Sequence, residues 1–183
     1  MIDKLSNTTE GSNSLAYFYC DFRTYRWTHA FEVIRSLLTR FLRRAKKDWL
    51  ASFKDLEDRR SDGSPPPEDL ETLYKLLLRA LDLHDRPIVV IDALDECKDH
   101  IKLSKLLARL HGQGCCRLFI TSRPIADISS ALDTLPKINL DEMHVEMQSD
   151  MRIHITQEVT DRPKLMPFRD EIIGSLLEKA DNM

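Results

Sequence analysis

Residues 87–92, Pro-Ile-Val-Val-Ile-Asp, constrain the fold more than any other stretch of this 183-residue chain. Pro87-Ile88-Val89-Val90-Ile91 is a β-branched run with no polar alternation, the pattern of a strand buried on both faces of a parallel sheet. It breaks off abruptly into Asp92-Ala93-Leu94-Asp95-Glu96-Cys97. A strand of this kind needs parallel neighbours, and parallel neighbours need helical crossovers.

The rest of the chain supplies both. Leu15-Ala16-Tyr17-Phe18-Tyr19-Cys20 reads as a short buried strand, and Arg117-Leu118-Phe119-Ile120-Thr121 as another, ending in Ser122-Arg123-Pro124. Lys137-Ile138-Asn139-Leu140 reads as a shorter one. Between them, Ala30, Val33, Ile34, Leu37, Leu38, Phe41 and Leu42 recur on one helical face, with Thr28 as the expected cap. The opposite face carries Arg35, Arg40, Arg43, Arg44, Lys46 and Lys47. Such a face is chemically able to hold phosphates, and the plainer expectation is a solvated helix surface. Residues 58–68 read as a polar surface loop with Gly63 and Pro65-Pro66-Pro67. Further helices are expected near 68–83, 102–111, 150–159 and 168–180. The expected fold class is α/β, a three-layer parallel sheet with helices flanking it.

Composition excludes several function classes. A net charge of −3 and a pI near 6.1 argue against nucleic-acid binding by bulk electrostatics. No run approaches the roughly 18 apolar residues of a membrane span, and Met1–Ser6 lack a signal-peptide pattern, so a cytoplasmic protein is expected. Cys20, Cys97, Cys115 and Cys116 form no C-x-x-C pair, which favours reduced, partly buried thiols over a zinc or redox motif.

In parallel sheets the ligand crevice lies at the carboxyl ends of the strands. Two strands deliver polar groups there: Asp92, Asp95 and Glu96 from one, Ser122 and Arg123 from the other. A carboxylate at a strand tip can hold hydrated magnesium, a second acid can orient water, and an arginine can neutralise phosphate charge. Acids after a strand also commonly cap the next helix or face solvent.

Val89-Val90-Ile91-Asp92-Ala93-Leu94-Asp95-Glu96-Cys97 resembles the Walker B segment of the NACHT-type (STAND) signal-transduction NTPases, closest to the nephrocystin-3-like amino-terminal domains. Leu118-Phe119-Ile120-Thr121-Ser122-Arg123-Pro124 is similar to the sensor-1 strand of that group, and residues 15–22 to its second strand. The resemblance implies a P-loop NTPase-like core over residues 1–160, followed by the start of a helical segment over 161–183. It implies that Asp92 holds magnesium, that Asp95 and Glu96 position the hydrolytic water, and that Arg123 and Ser122 meet the phosphate.

One departure bears on activity. The family's phosphate loop has the form G-x-x-x-x-G-K followed by Ser or Thr, whose amides and lysine cradle the phosphates. None of the five glycines here precedes a lysine. Met1–Ser6 resembles the last turns of the helix after that loop. By the resemblance, the first strand and the loop are missing, and the chain also stops inside a helical segment near Lys179–Met183. In the family the missing strand lies between those matching 117–121 and 137–140.

The leading expectation is therefore a remnant of a signalling NTPase domain, working as an interaction or oligomerisation module without autonomous ATP hydrolysis. Protein partners or self-association are expected, with ATP weakly bound or absent and no tightly bound cofactor, whereas the intact family takes Mg-ATP. One alternative is an ATP-binding switch whose loop lies in upstream sequence. Another is a small metal-dependent phosphohydrolase using Asp92, Asp95, Glu96 and His100, although His100 reads more simply as a surface residue at a helix start.

Overall fold

The computed structural model describes residues 15–21, 29–45, 53–63, 65 and 67–181, and the chain divides into two compact units, Met1–Leu135 and Pro136–Met183. In the first unit, β1 (Leu15–Tyr19) leads to α1 (Ala30–Arg44), α2 (Lys54–Ser61) and α3 (Leu70–Leu81). Then come β2 (Ile88–Asp92), a 3-10 turn (Leu94–Glu96), α4 (His100–Gly112), β3 (Arg117–Ile120) and α5 (Ala126–Ala131).

The three strands form one parallel sheet in the order β1-β2-β3. Leu15 stands beside Ile88 and Tyr19 beside Asp92, while Ile88 faces Arg117 and Ile91 faces Ile120. The β-branched run thus becomes the central strand, and its Val89, Val90 and Ile91 are all buried. Strand polarity explains this: a stretch with no hydrophilic face is stable only where both faces are covered.

Helical periodicity places the core on one side of the sheet. Val33, Ile34, Leu37 and Phe41 of α1 meet Leu73, Leu77, Ala80 and Leu81 of α3 and Leu103, Leu107 and Leu110 of α4 in a single cluster. That cluster takes up Ala16, Cys20, Val89 and Ile91 from the sheet. The alternate face, with Tyr17, Tyr19, Val90 and Phe119, lies outside it, and Tyr19 and Phe119 are exposed.

The two sheet edges differ. Nη1 of Arg44 donates to the carbonyl of Leu15, and the Arg40 guanidinium lies 4.2 Å from the Tyr17 ring centroid, so α1 closes over the outer edge of β1. On the other side, Arg117 and Thr121 direct their N–H groups to Pro87 and Ile91 of the β2 segment. By strand alternation, Leu118 and Ile120 turn their backbone groups the opposite way. No third strand pairs with β3 among the described residues.

In the second unit a 3-10 turn (Leu140–Met143) opens α6 (His144–Thr160), and a further 3-10 turn (Pro163–Phe168) leads into α7 (Arg169–Asp181). Val159 of α6 and Ile173 of α7 are its buried apolar residues among those described.

Three local expectations change. Residues 137–140 are not a strand: 137–139 have no regular structure and Leu140 begins a turn, with Ile138 77% exposed. Asn139 is the cause, because its carbonyl accepts from the Glu142 N–H and its side-chain amide donates to Glu142 Oε1 at 3.0 Å. Asparagine competes in this way with extended pairing. The polar loop starts later than expected, since α2 continues to Ser61, behind the buried Phe53. Thr28 lies outside the described residues, as do Met1–Ser6, Phe22, Lys46 and Lys47, and His29 takes the N-cap position of α1.

Candidate functional site at the strand carboxyl ends

β2 ends on Asp92, and the chain turns at once. Ala93 adopts left-handed backbone angles, φ 54° and ψ 51°, which a residue with a Cβ adopts only at a cost. The turn is held from β3. The Ala93 N–H donates to the Thr121 hydroxyl at 2.9 Å, the Leu94 N–H to the Thr121 carbonyl at 2.9 Å, and the Thr121 hydroxyl itself donates to Asp92 Oδ1. Leu94, fully buried, anchors the turn in the core. Thr121 therefore ties the two strand ends together through three hydrogen bonds.

The 3-10 turn then presents Asp95 and Glu96. Asp95 folds inward, its side chain only 3% exposed, while its partner Arg123 is 76% exposed. Arg123 Nε donates to Asp95 Oδ2 at 2.6 Å, and the Arg123 backbone N–H donates to Oδ1 at 3.1 Å. Burial pushes the Asp95 carboxyl up, but these two bonds and the arginine's charge outweigh it and hold the group below the usual carboxylate range. Asp95, and more weakly Glu96, in turn stabilise the charged guanidinium.

Each expected site residue can now be placed. Asp95 and Arg123 meet directly, whereas Asp92 is bonded by the Thr121 hydroxyl. Glu96, half-buried, lies near enough to act on the charge of Arg123. Ser122 is exposed, and its hydroxyl donates to the Arg123 carbonyl at 2.9 Å. His100 sits at the start of α4 with Nδ1 3.1 Å from the Cys97 carbonyl.

As a magnesium site, this arrangement offers Asp92 and, on the adjoining turn, Glu96. Asp92 is half-buried with Oδ1 engaged by Thr121, and both oxygens of Asp95 are engaged by Arg123. Among the described residues no group of three or more His, Cys, Asp or Glu is placed to hold a metal ion. The described residues thus form no all-protein cage for a metal ion.

Two features escaped sequence reasoning. Thr121 read as the end of a strand, yet it is the tie between both strand ends. A hydroxyl directly after an apolar strand, in register beyond an aspartate-tipped neighbour, is the signal that marks it. The left-handed turn at Ala93 had no glycine to announce it. The thiols behaved as their neighbourhoods implied: Cys20 and Cys97 are buried and unbridged, Cys115 and Cys116 half-buried. Cys20 and Cys97 share a side-chain hydrogen bond that raises the first thiol's pKa and lowers the second's, and burial pushes Cys116 up to about 12.

These strands and this turn fall inside a recognised domain. The family model for nephrocystin 3, N-terminal, matches residues 1–123, which is more than half of the sequence and takes in β1, β2, β3 and the acidic turn. The chain belongs to the nephrocystin 3 N-terminal family. No curated protein and no solved structure matches it.

Proposed function

We propose that this chain is a NACHT-like (STAND) nucleotide-switch core, of three-layer P-loop NTPase ancestry, that works in the cytoplasm as an interaction or oligomerisation module without ATP hydrolysis of its own. One observation carries the reading: Asp95, the acid that would position water, and Arg123, the arginine that would sense phosphate, are bonded to each other. A carboxylate holding two N–H donors is a poor base, because its lone pairs and charge are already engaged. The sequence supports the same conclusion, since none of its glycines precedes a lysine. A phosphate loop supplies several charge-assisted hydrogen bonds of about 1.5–3 kcal/mol each. Lacking even three of them turns micromolar binding into none measurable, at about 1.4 kcal/mol per factor of ten.

Family membership and the absence, among the described helices, of any long and apolar enough to cross a membrane are compatible with this reading. So is the alternate face of the sheet, where Phe119 is 41% exposed.

Calorimetric titration of the 183-residue chain with Mg-ATP tests the proposal. No saturable binding that depends on Asp92 is expected, and no phosphate release above background. Micromolar binding abolished by Asp92→Ala would overturn it. A concentration series in sedimentation velocity, with mass rising above the monomer, tests self-association.

A further inference from the structure

The strongest unassigned feature lies on α1, along the outer edge of β1. A cavity of about 640 Å³ is lined by Arg35, Ser36, Arg40, Arg43 and Arg44, with Phe18 in its wall. The volume falls within the range of small-ligand sites. Its one carboxylate, Glu32, pairs with Arg35 at 2.5 Å. Four arginines against one acid leave a surplus of three positive charges.

Elsewhere in the molecule Arg79 pairs with Asp55, Arg109 with Glu71 and Arg123 with Asp95. Arg40, Arg43 and Arg44 have no carboxylate partner among the described residues. Arg40 lies three positions before Arg43 and four before Arg44, spacings at which like charges on a helix repel. The cluster therefore carries an electrostatic cost that no carboxylate among the described residues offsets at Arg40, Arg43 or Arg44.

The guanidinium groups are also partly positioned. Arg40 stacks over Tyr17, which leaves its N–H edge open, and Arg44 spends Nη1 on the Leu15 carbonyl, which leaves its other donors. Thr39 donates its hydroxyl to the Arg35 carbonyl, so Ser36 is the hydroxyl available to a ligand. Planar forks held in this way match the oxygens of phosphate groups two at a time.

We propose that this groove is an anion site for a compact polyphosphate, three or more negative charges on adjacent phosphate groups. Its Arg44 end is separate from the acidic turn. Arg44 reaches Leu15, the first residue of β1, whereas Asp92 stands beside Tyr19, its last. A five-residue strand separates the two ends by about 13 Å.

Inorganic tripolyphosphate, titrated calorimetrically into the full chain without magnesium, is the probe. Saturable one-to-one binding is expected, weakening as salt screens the site. The paired Arg40→Gln and Arg43→Gln substitutions should weaken it about tenfold or more, as two charge-assisted contacts are lost. Arg43→Lys, which keeps the charge but loses the planar fork, should weaken it less than Arg43→Gln does, and Asp92→Ala should leave it unchanged. Vesicles carrying phosphatidylinositol bisphosphate distinguish the source: their capture of the chain, against none by phosphatidylserine vesicles of equal charge, assigns the phosphates to a lipid headgroup. Binding of tripolyphosphate without capture assigns them to a free anion. No saturable binding of either probe, or binding that the double substitution leaves intact in a chain with unchanged circular dichroism, overturns the proposal.

Discussion

Arg123 grips Asp95 twice, with Nε at 2.6 Å from Oδ2 and with its own backbone N–H at 3.1 Å from Oδ1, so that β3's exit and β2's exit are joined by one carboxylate. The side chain is exposed and the acid is not. The acid is therefore desolvated on behalf of a bond rather than of a ligand.

This pair predicts a pH dependence. The unfolded aspartate titrates near 3.9, and the folded one lies lower. Its contribution to stability is complete above about pH 4 and is lost as pH falls through the folded value. Denaturant unfolding of the wild type should show this acid limb, and Asp95→Asn should flatten it. An unchanged limb in the variant would remove the pair as its source.

Thr121 predicts a larger structural effect. Thr121→Val keeps the shape but strands the Ala93 N–H and removes the donor to Asp92. Leaving a partly buried donor without its partner costs about 1–3 kcal/mol. Urea unfolding should report a loss of that size, whereas Thr121→Ser should recover most of it.

Ala93 predicts the opposite sign. Its left-handed conformation costs an alanine about 1–2 kcal/mol, and glycine adopts it freely. Glycine returns part of that gain as added freedom in the unfolded chain, roughly 0.4–1 kcal/mol. Ala93→Gly should therefore raise the melting temperature, and a fall would show that the turn carries no such strain.

His84 gives a second pH window. Burial, with the charge of Arg44 adding to it, holds the imidazole below its ordinary value against the opposing bond to the Phe41 carbonyl, 3.1 Å from Nε2. A carbonyl only accepts, so Nε2 carries the proton of the neutral ring. The unfolded histidine gains a proton near pH 6.5 while the folded one resists it. Stability should thus decline as pH drops below about 6.5, and His84→Gln should remove that slope.

Much of the fold, and with it the place of the candidate site, was legible because both rest on periodicity and strand polarity. Ile88–Ile91 could only be a central strand, and Asp92 at its end could only lie at the carboxyl edge. The apolar faces of α1, α3 and α4 followed from residues spaced by three and four. What was illegible depends on single hydrogen bonds between distant segments. Nothing local says that Asp95 turns inward to Arg123, 28 positions away, or that Thr121 reaches Ala93. The expected strand at 137–140 failed for a related reason. Two apolar residues in four are compatible with a strand or a turn, and one asparagine side chain decided for the turn.

The unequal edges of the sheet have a consequence for assembly. In polymer chemistry a monomer with two reactive ends makes chains, and a monomer with one makes pairs and stops. Arg40 and Arg44 spend one edge of this sheet on the protein's own helix, and among the described residues β3 leaves the other open. Joining two copies through β3 would consume both open ends and create no new one, which gives a closed two-fold pair. On the described residues alone, edge-to-edge joining through β3 would thus be self-terminating, with Arg40 and Arg44 of α1 as its chain stopper.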